Sequence, residues 1–230
     1  MKKYLLLLLA CLMALAGCNK KEPPVFSGLE AGTLAGGVFT SDSGTKMTVI
    51  DAEKDVDIAT SRRVLISYET QSLSDLDHIE IKLLNLWDAD IVVPRSVQTL
   101  EEKPEGAPVQ VTDAWFSARY LNILASYEGK DPAKHLQTAF YRVDDKNMVI
   151  RLLHDSEETI EANSNSQLNV FISIPMDEPV LSFEQYALSI GKKEVTYPAP
   201  VLLQWTARVV NGGPLTLYER EGSYSPPASN

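Results

Sequence analysis

The chain has 230 residues, is 44% apolar, and is acidic, with a net charge of −10 at pH 7. That balance excludes a nucleic-acid partner, because phosphate binding draws on clustered Lys and Arg, and no basic run with interleaved aromatics occurs. Only two cysteines, Cys11 and Cys18, are present, so stability has to come from a buried core.

Lys2 and Lys3 precede an apolar run from Tyr4 to Ala16 that closes on Leu15-Ala16-Gly17-Cys18. The run is too short for a permanent membrane helix and has the charged start, apolar middle and small-residue end of a secretory signal. Small side chains at Ala16 and Gly17 give a peptidase access to the Gly17–Cys18 bond. The Cys18 thiol suits a thioether to diacylglycerol, and further acylation, such as palmitate, supplies the additional chains that persistent anchoring takes. The pattern reads as a bacterial lipoprotein signal: residues 1–17 are removed and Cys18 carries the lipid. The protein is then held at a membrane of the cell envelope, with the outer membrane expected and the leaflet open. With Cys11 cleaved away and Cys18 consumed, no thiol remains for a disulfide, a thiolate zinc site or a cysteine nucleophile. Residues 18–29, with Lys20-Lys21 and Pro23-Pro24, lack periodicity and read as a flexible tether.

From residue 30 the pattern changes to period two. Val38-Phe39-Thr40, the turn signal Ser41-Asp42-Ser43-Gly44, and Thr45 to Ile50 predict a hairpin. Arg63 to Thr70 places Val64, Ile66 and Tyr68 on one face, with Leu65 as the exception, and His78 to Leu83 places Ile79, Ile81 and Leu83 together. Alternation slips at Leu84 to Trp87, which predicts a bulge where a small barrel closes. These elements define a first β-domain over 30–98. Residues 99–108, charged and carrying Pro104, Gly106 and Pro108, read as a linker. Beyond it, Arg119 to Tyr127, Met148 to Leu153 after the turn Asp144 to Asn147, Leu168 to Ile174, and Val201 to Val209 alternate as half-buried strands. Asn211 to Pro214 turns the chain into a final hairpin strand, Leu215 to Arg220. One short helix is expected over Phe183 to Ile190. Many short strands between turns predict a β-sandwich over 109–222, with 223–230 as a disordered tail.

Taken together, the lipobox, Arg63-Val64-Leu65-Ile66-Ser67-Tyr68, the strand ending in Trp87, Asp113-Ala114-Trp115 followed by Tyr120-Leu121-Asn122-Ile123, His135, and Leu152-Leu153-His154-Asp155 resemble the NigD-like lipoproteins. The resemblance implies an all-β chain with an N-terminal OB-type barrel and a C-terminal β-sandwich, in an envelope lipoprotein of diderm bacteria. It also implies bacteriocin immunity, the role proposed for the founding member. This chain differs in having His-Asp-Ser-Glu-Glu after the strand and Lys20-Lys21 in place of an acidic run after the cysteine.

The chemistry-bearing residues point away from catalysis. His78, His135 and His154 lie far apart in sequence at strand ends, outside any H-E-x-x-H helix, and read as structural. His154-Asp155-Ser156 has the residue types of a triad, but neighbours on an extended chain point to opposite faces. Asp51, Asp55 and Asp57, like Asp88 and Asp90, lack the spacing of a calcium loop. Glu101-Glu102 and Glu157-Glu158 sit in polar loops without an aromatic platform. Trp87, Trp115 and Trp205 fall in apolar rows and read as core. No cofactor, metal or enzymatic activity is therefore expected. The expected partner is a protein or peptide, besides the membrane held by the lipid, with an accessory role in binding surface glycans or a larger envelope assembly as the alternative. Binding residues concentrate on loops, so the polar stretches Gln71 to Asp77 and Ser156 to Gln167 supply the candidates Asp75, Asp77, Glu157 and Asn163. Tyr68 joins them because OB-type barrels bind ligands on their second and third strands.

Overall fold

The computed structural model describes residues 26–53, 56–75, 78–158, 166–209 and 213–227. Gly17, Cys18, Asp77 and Asn163 lie outside the described residues, as do the rest of the signal and most of the tether.

The first five strands close on themselves. β1 (Ser27–Ala35), β2 (Val38–Ser41) and β3 (Lys46–Asp51) form an antiparallel meander. β4 (Arg62–Asp75) and β5 (His78–Ile91) form a long hairpin. β1 pairs with β4 and β3 runs parallel to β5, which completes a ring of OB type. The period-two residues explain the closure: Leu34, Phe39, Met47, Val49, Val64, Ile66, Ile81 and Leu83 all fill the interior. The slip at Leu84 is a bulge, since Ser67 faces Asn85 while Tyr68 faces Leu83, leaving Leu84 without an opposite. It lets β5 bend out of the barrel. Two expectations are corrected. The barrel starts inside the expected tether, because Ser27 to Leu29 already pair with Ser67 to Glu69. Gln71 to Asp75 belongs to β4 rather than to a loop.

The far end of β5 joins the second half of the chain. Ala89 to Ile91 pair in parallel with Phe171 to Ser173 of β11 (Gln167–Pro175). β8 (Tyr120–Glu128) and β7 (Gln110–Ser117) follow, so one eight-stranded sheet runs through both halves. A five-stranded sheet packs against it, in the order β13 (Leu215–Tyr224), β12 (Ala199–Arg208), β10 (Met148–Ser156), β9 (His135–Val143) and β6 (Arg95–Ser96). Between the sheets lie Ile123, Ile172, Ile150, Leu152, Val201, Leu203 and Trp205. The tail expected from residue 223 begins later, because β13 continues to Tyr224, whose ring is buried edge-on to Phe116.

The helix α1 (Asp177–Ser189) is longer than expected. Asp177 and Glu178 suit the positive end of its dipole and Pro179 is tolerated in a first turn. Val180, Phe183 and Ala187 form its buried face.

Leu65 explains its own exception. It points away from the barrel interior and packs with Ala31 and Phe171, flanked by Trp87 and Trp115, in a small apolar cluster at the joint. A buried polar network lies beside it. Arg63 Nη1 and Nη2 donate to the two carboxylate oxygens of Asp42, Nη2 to Asn122 Oδ1 and Nε to Ser173 Oγ, each at 2.8 Å. Its guanidinium lies 3.7 Å from the centre of the Tyr120 ring. Ser117 donates to Asp42 and accepts from Asn122 Nδ2. Asp42 and Arg63 come from the barrel and the other residues from the sandwich, so this network fixes how the two meet.

Residues 99–108 are bound to the sandwich, unlike a free linker. Pairing of β10 with β12 stops at Leu152 and Trp205, and the chain wedges in beyond that point. Ala107 N donates to His154 O, and Val109 N and Glu105 N donate to the carbonyl and hydroxyl of Thr206. Buried Arg151 donates to the Glu101 carbonyl and to Gln204. Pro104 and Pro108 remove donors only at positions other than Glu105, Ala107 and Val109, so the composition of a linker serves as a wedge.

Candidate functional site

The wedge, the ends of β8, β9 and β10, and the β8–β9 loop converge at one end of the sandwich. There the antiparallel β9–β10 register sets Ser156 opposite His135 and His154 opposite Gln137, which puts the two histidines diagonally on the same inward face. His135 Nδ1 and His154 Nε2 are 3.0 Å apart. The rings are 16° from parallel and joined edge to edge. Tyr127, from the opposite sheet, lies over both, 4.4 Å from the His135 ring and 4.3 Å from that of His154. The other nitrogen of His154, Nδ1, donates to the wedge carbonyl of Pro108 at 3.3 Å.

Glu158 completes the group. Its carboxylate accepts from Lys130 N at 2.9 Å and Asp131 N at 2.8 Å, both in the β8–β9 loop, and lies 3.5 Å from His135 Nε2. Gly129 is required beneath it, since a Cβ there would stand 2.3 Å from His135 Nε2. Burial, followed by the neighbouring His135, holds the His154 ring below its ordinary value. The Lys130 amide, followed by that of Asp131 and the His135 ring, holds Glu158 low against its partial desolvation. Beside the rings a cleft of about 130 Å³ opens between the sheets, floored by Tyr127 and His154 and rimmed by Ser126, Glu128, Gln167 and Arg208. Its rim offers donors and acceptors of both charges. Such a rim suits peptide-like polar groups, and the space is small against the several hundred Å³ of a usual small-molecule pocket.

Among the described residues, the candidates Tyr68 and Glu157 do not come together. Tyr68 is buried in the barrel over Gly28, where a Cβ would stand 2.7 Å from its ring, and its hydroxyl donates to Glu30 at 2.7 Å. Burial, then that carboxylate, pushes its phenol up. Asp75 closes β4 opposite His78. Glu157 is exposed just past the end of β10, its amide donating to Lys134 O at 3.0 Å. Neither Tyr68 nor Glu157 lines this cleft or the wider groove of about 450 Å³ on the barrel, where Arg62 is paired with Asp57 and Asp88. Among the described residues no three His, Cys, Asp or Glu side chains are placed to hold a metal ion.

The histidine pair was missed because the two residues are 19 positions apart. A signal was present: counting outward from the turn Asp144 to Asn147 places them two positions out of register on neighbouring strands.

No family model and no curated protein matches the chain. Solved structures do. A NigD-like immunity protein from Bacteroides caccae superposes with a TM-score of 0.60 at 16% identity, over 88% of this chain and 99% of its own. The chain has the NigD-like fold. A candidate lipoprotein from Bacteroides fragilis gives 0.61 at 15% identity, over 89% of this chain and 100% of its own. A protein of unknown function from Bacteroides vulgatus gives 0.57 at 13% identity, over 89% and 92%. At these identities the NigD-like likeness is one of architecture, barrel and sandwich included, and it carries no site residue across.

Proposed function

We propose that this chain is a non-enzymatic lipoprotein of the cell envelope, anchored through Cys18, that binds a protein or peptide partner, and that bacteriocin immunity is the concrete form of that role. The observation that carries the reading is the pairing of a lipobox with an architecture spanning 99% of a NigD-like immunity protein. The polar-rimmed cleft at the Tyr127–His154 end supports it, because that rim suits peptide groups better than a buried small molecule. In this reading the tethered chain offers a surface that intercepts a toxin or shields its target at the membrane.

The test is genetic and then biochemical. A deletion strain is challenged with bacteriocins from related strains, and sensitivity should rise and be restored by the wild-type gene but not by Cys18→Ala. Affinity capture of the detergent-solubilised protein should then recover the toxin or its target. Unchanged sensitivity to every bacteriocin, with glycan-uptake components recovered instead, would replace this reading.

A further inference from the structure

The cleft lies where one strand lane of the sandwich breaks off. On the β11 side of β8, Gly129 N donates to Ser166 O at 3.1 Å. Successive residues of an antiparallel ladder turn their backbone groups to opposite sides, so Tyr127 and Gly129 face β11 while Ser126 and Glu128 face β7. Pairing with β7 stops at Ser126, which stands opposite Gln110. The next rung of that lane would set Glu128 opposite Pro108. Pro108 has no N–H to give, and its carbonyl accepts from His154 Nδ1. Its neighbours are committed to the other sheet as well, Ala107 N donating to His154 O at 2.6 Å and Val109 N to Thr206 O at 2.9 Å. Among the described residues, therefore, the N–H and C=O of Glu128 have no backbone partner on the β7 side. The cleft of about 130 Å³ opens against that gap, with Glu128 and Pro108 both in its wall.

We propose that this gap is a strand-addition site: an extended segment of a partner protein pairs one residue with Glu128, and that residue is basic. The inference rests on the reading of this chain as a binder of a protein or peptide, and it names how the partner is held. The backbone supplies one rung, in which the partner residue donates its N–H to the Glu128 carbonyl and accepts from the Glu128 N–H. Side-chain preference follows from alternation. A residue opposite Glu128 shares its face of the sheet, away from the core side of Ala125 and Tyr127, and the carboxylate there favours Lys or Arg. Arg208 belongs to β12 in the other sheet, so it does not share that face. The residues before and after the basic one turn to the opposite face, toward Tyr127, Val109 and Ala207, where the small space admits side chains the size of alanine or valine. The segment recognised is thus a basic residue between two small apolar ones.

The test is an NMR titration of the full-length, isotope-labelled chain in zwitterionic detergent micelles with the capped peptide acetyl-Val-Lys-Val-amide. The Glu128 amide resonance should move and saturate. Two comparison peptides, one N-methylated at the lysine and one with Glu in its place, should each bind about fivefold more weakly or less, the first for want of the N–H and the second for want of the charge. In Glu128→Gln the preference for Lys over Glu should vanish while the sensitivity to N-methylation stays. A Glu128 amide that does not respond to the lysine peptide, or equal binding of the N-methylated one, would overturn the strand-addition site. The wild-type comparison of the three peptides decides this even if the variant fails to fold. Failure here strikes only this mode of holding a partner, since the envelope role is scored separately by the toxin sensitivity of the deletion strain.

Discussion

Two polar clusters are buried at opposite ends of β8, and they are built differently. At the Asn122 end, Arg63, Asp42, Asn122, Ser173 and Ser117 are all joined by hydrogen bonds, and the guanidinium is paired with a carboxylate. At the Tyr127 end, the histidine pair is one good bond short, because buried His135 Nε2 has no hydrogen-bond partner among the described residues and stands 3.5 Å from Glu158. The saturated cluster stands where two halves of the chain must keep a fixed relation. The incomplete one stands where strands give way to loops.

Removing one partner from the saturated cluster should have the largest effect. Asp42→Ala leaves the Arg63 charge buried without a counter-charge and should cost about 3–5 kcal/mol of stability in urea unfolding. Replacing both Arg63 and Asp42 with apolar residues of similar volume should cost much less, because no charge is then stranded. At the other end, Gly129→Ala drives a methyl into the His135 ring and should cost about 1–3 kcal/mol, with the ring resonances of His135 displaced. Tyr68→Phe removes one hydroxyl bond to Glu30 inside the barrel and should cost about 1 kcal/mol in the same assay. That variant sits in neither cluster, so it sets the scale of a single bond against the loss of a network.

The pH prediction is the smallest and sharpens the contrast most directly. His154 is held below its ordinary value of 6.5 in the folded chain. Below that pH the unfolded state binds the proton more readily, so its contribution to stability is present above about 6.5 and declines as pH falls through the lower folded value. Unfolding followed against pH should therefore show an acid-side slope that His154→Gln reduces. Asp42→Asn should leave that slope in place.

The strands were legible wherever one face is buried and the other wet, as in Val64, Ile66 and Tyr68 or in Leu121, Ile123 and Ala125. Leu65 broke the pattern because β4 has a core on each face, which no single-face alternation can express. β1 was not read as a strand, because Ser27, Gly28, Gly32 and Thr33 blur its apolar pattern and the segment is held by backbone pairing with β4. The segment 99–108 looked free because prolines and charges normally are, and its wedging depends on carbonyls and hydroxyls of β10 and β12 that lie far along the sequence. The candidate site is the same lesson at one residue pair. His135 and His154 were visible as strand-end histidines, but their meeting is a property of hairpin register, as is the meeting of Arg63 with Asn122 and Ser173.

The point at which the chain enters the barrel bears on orientation if Cys18 carries a lipid as proposed. The Phe26 carbonyl accepts from Thr70 N, seven positions along β4 from Arg63 at the joint, a run of about 23 Å at the rise of an extended strand. A lipid on Cys18 would thus moor the barrel closest to the bilayer and let the sandwich stand off into the surrounding space. A molecule sliding along the membrane would brush the barrel wall first. One diffusing in from solution would encounter the sandwich.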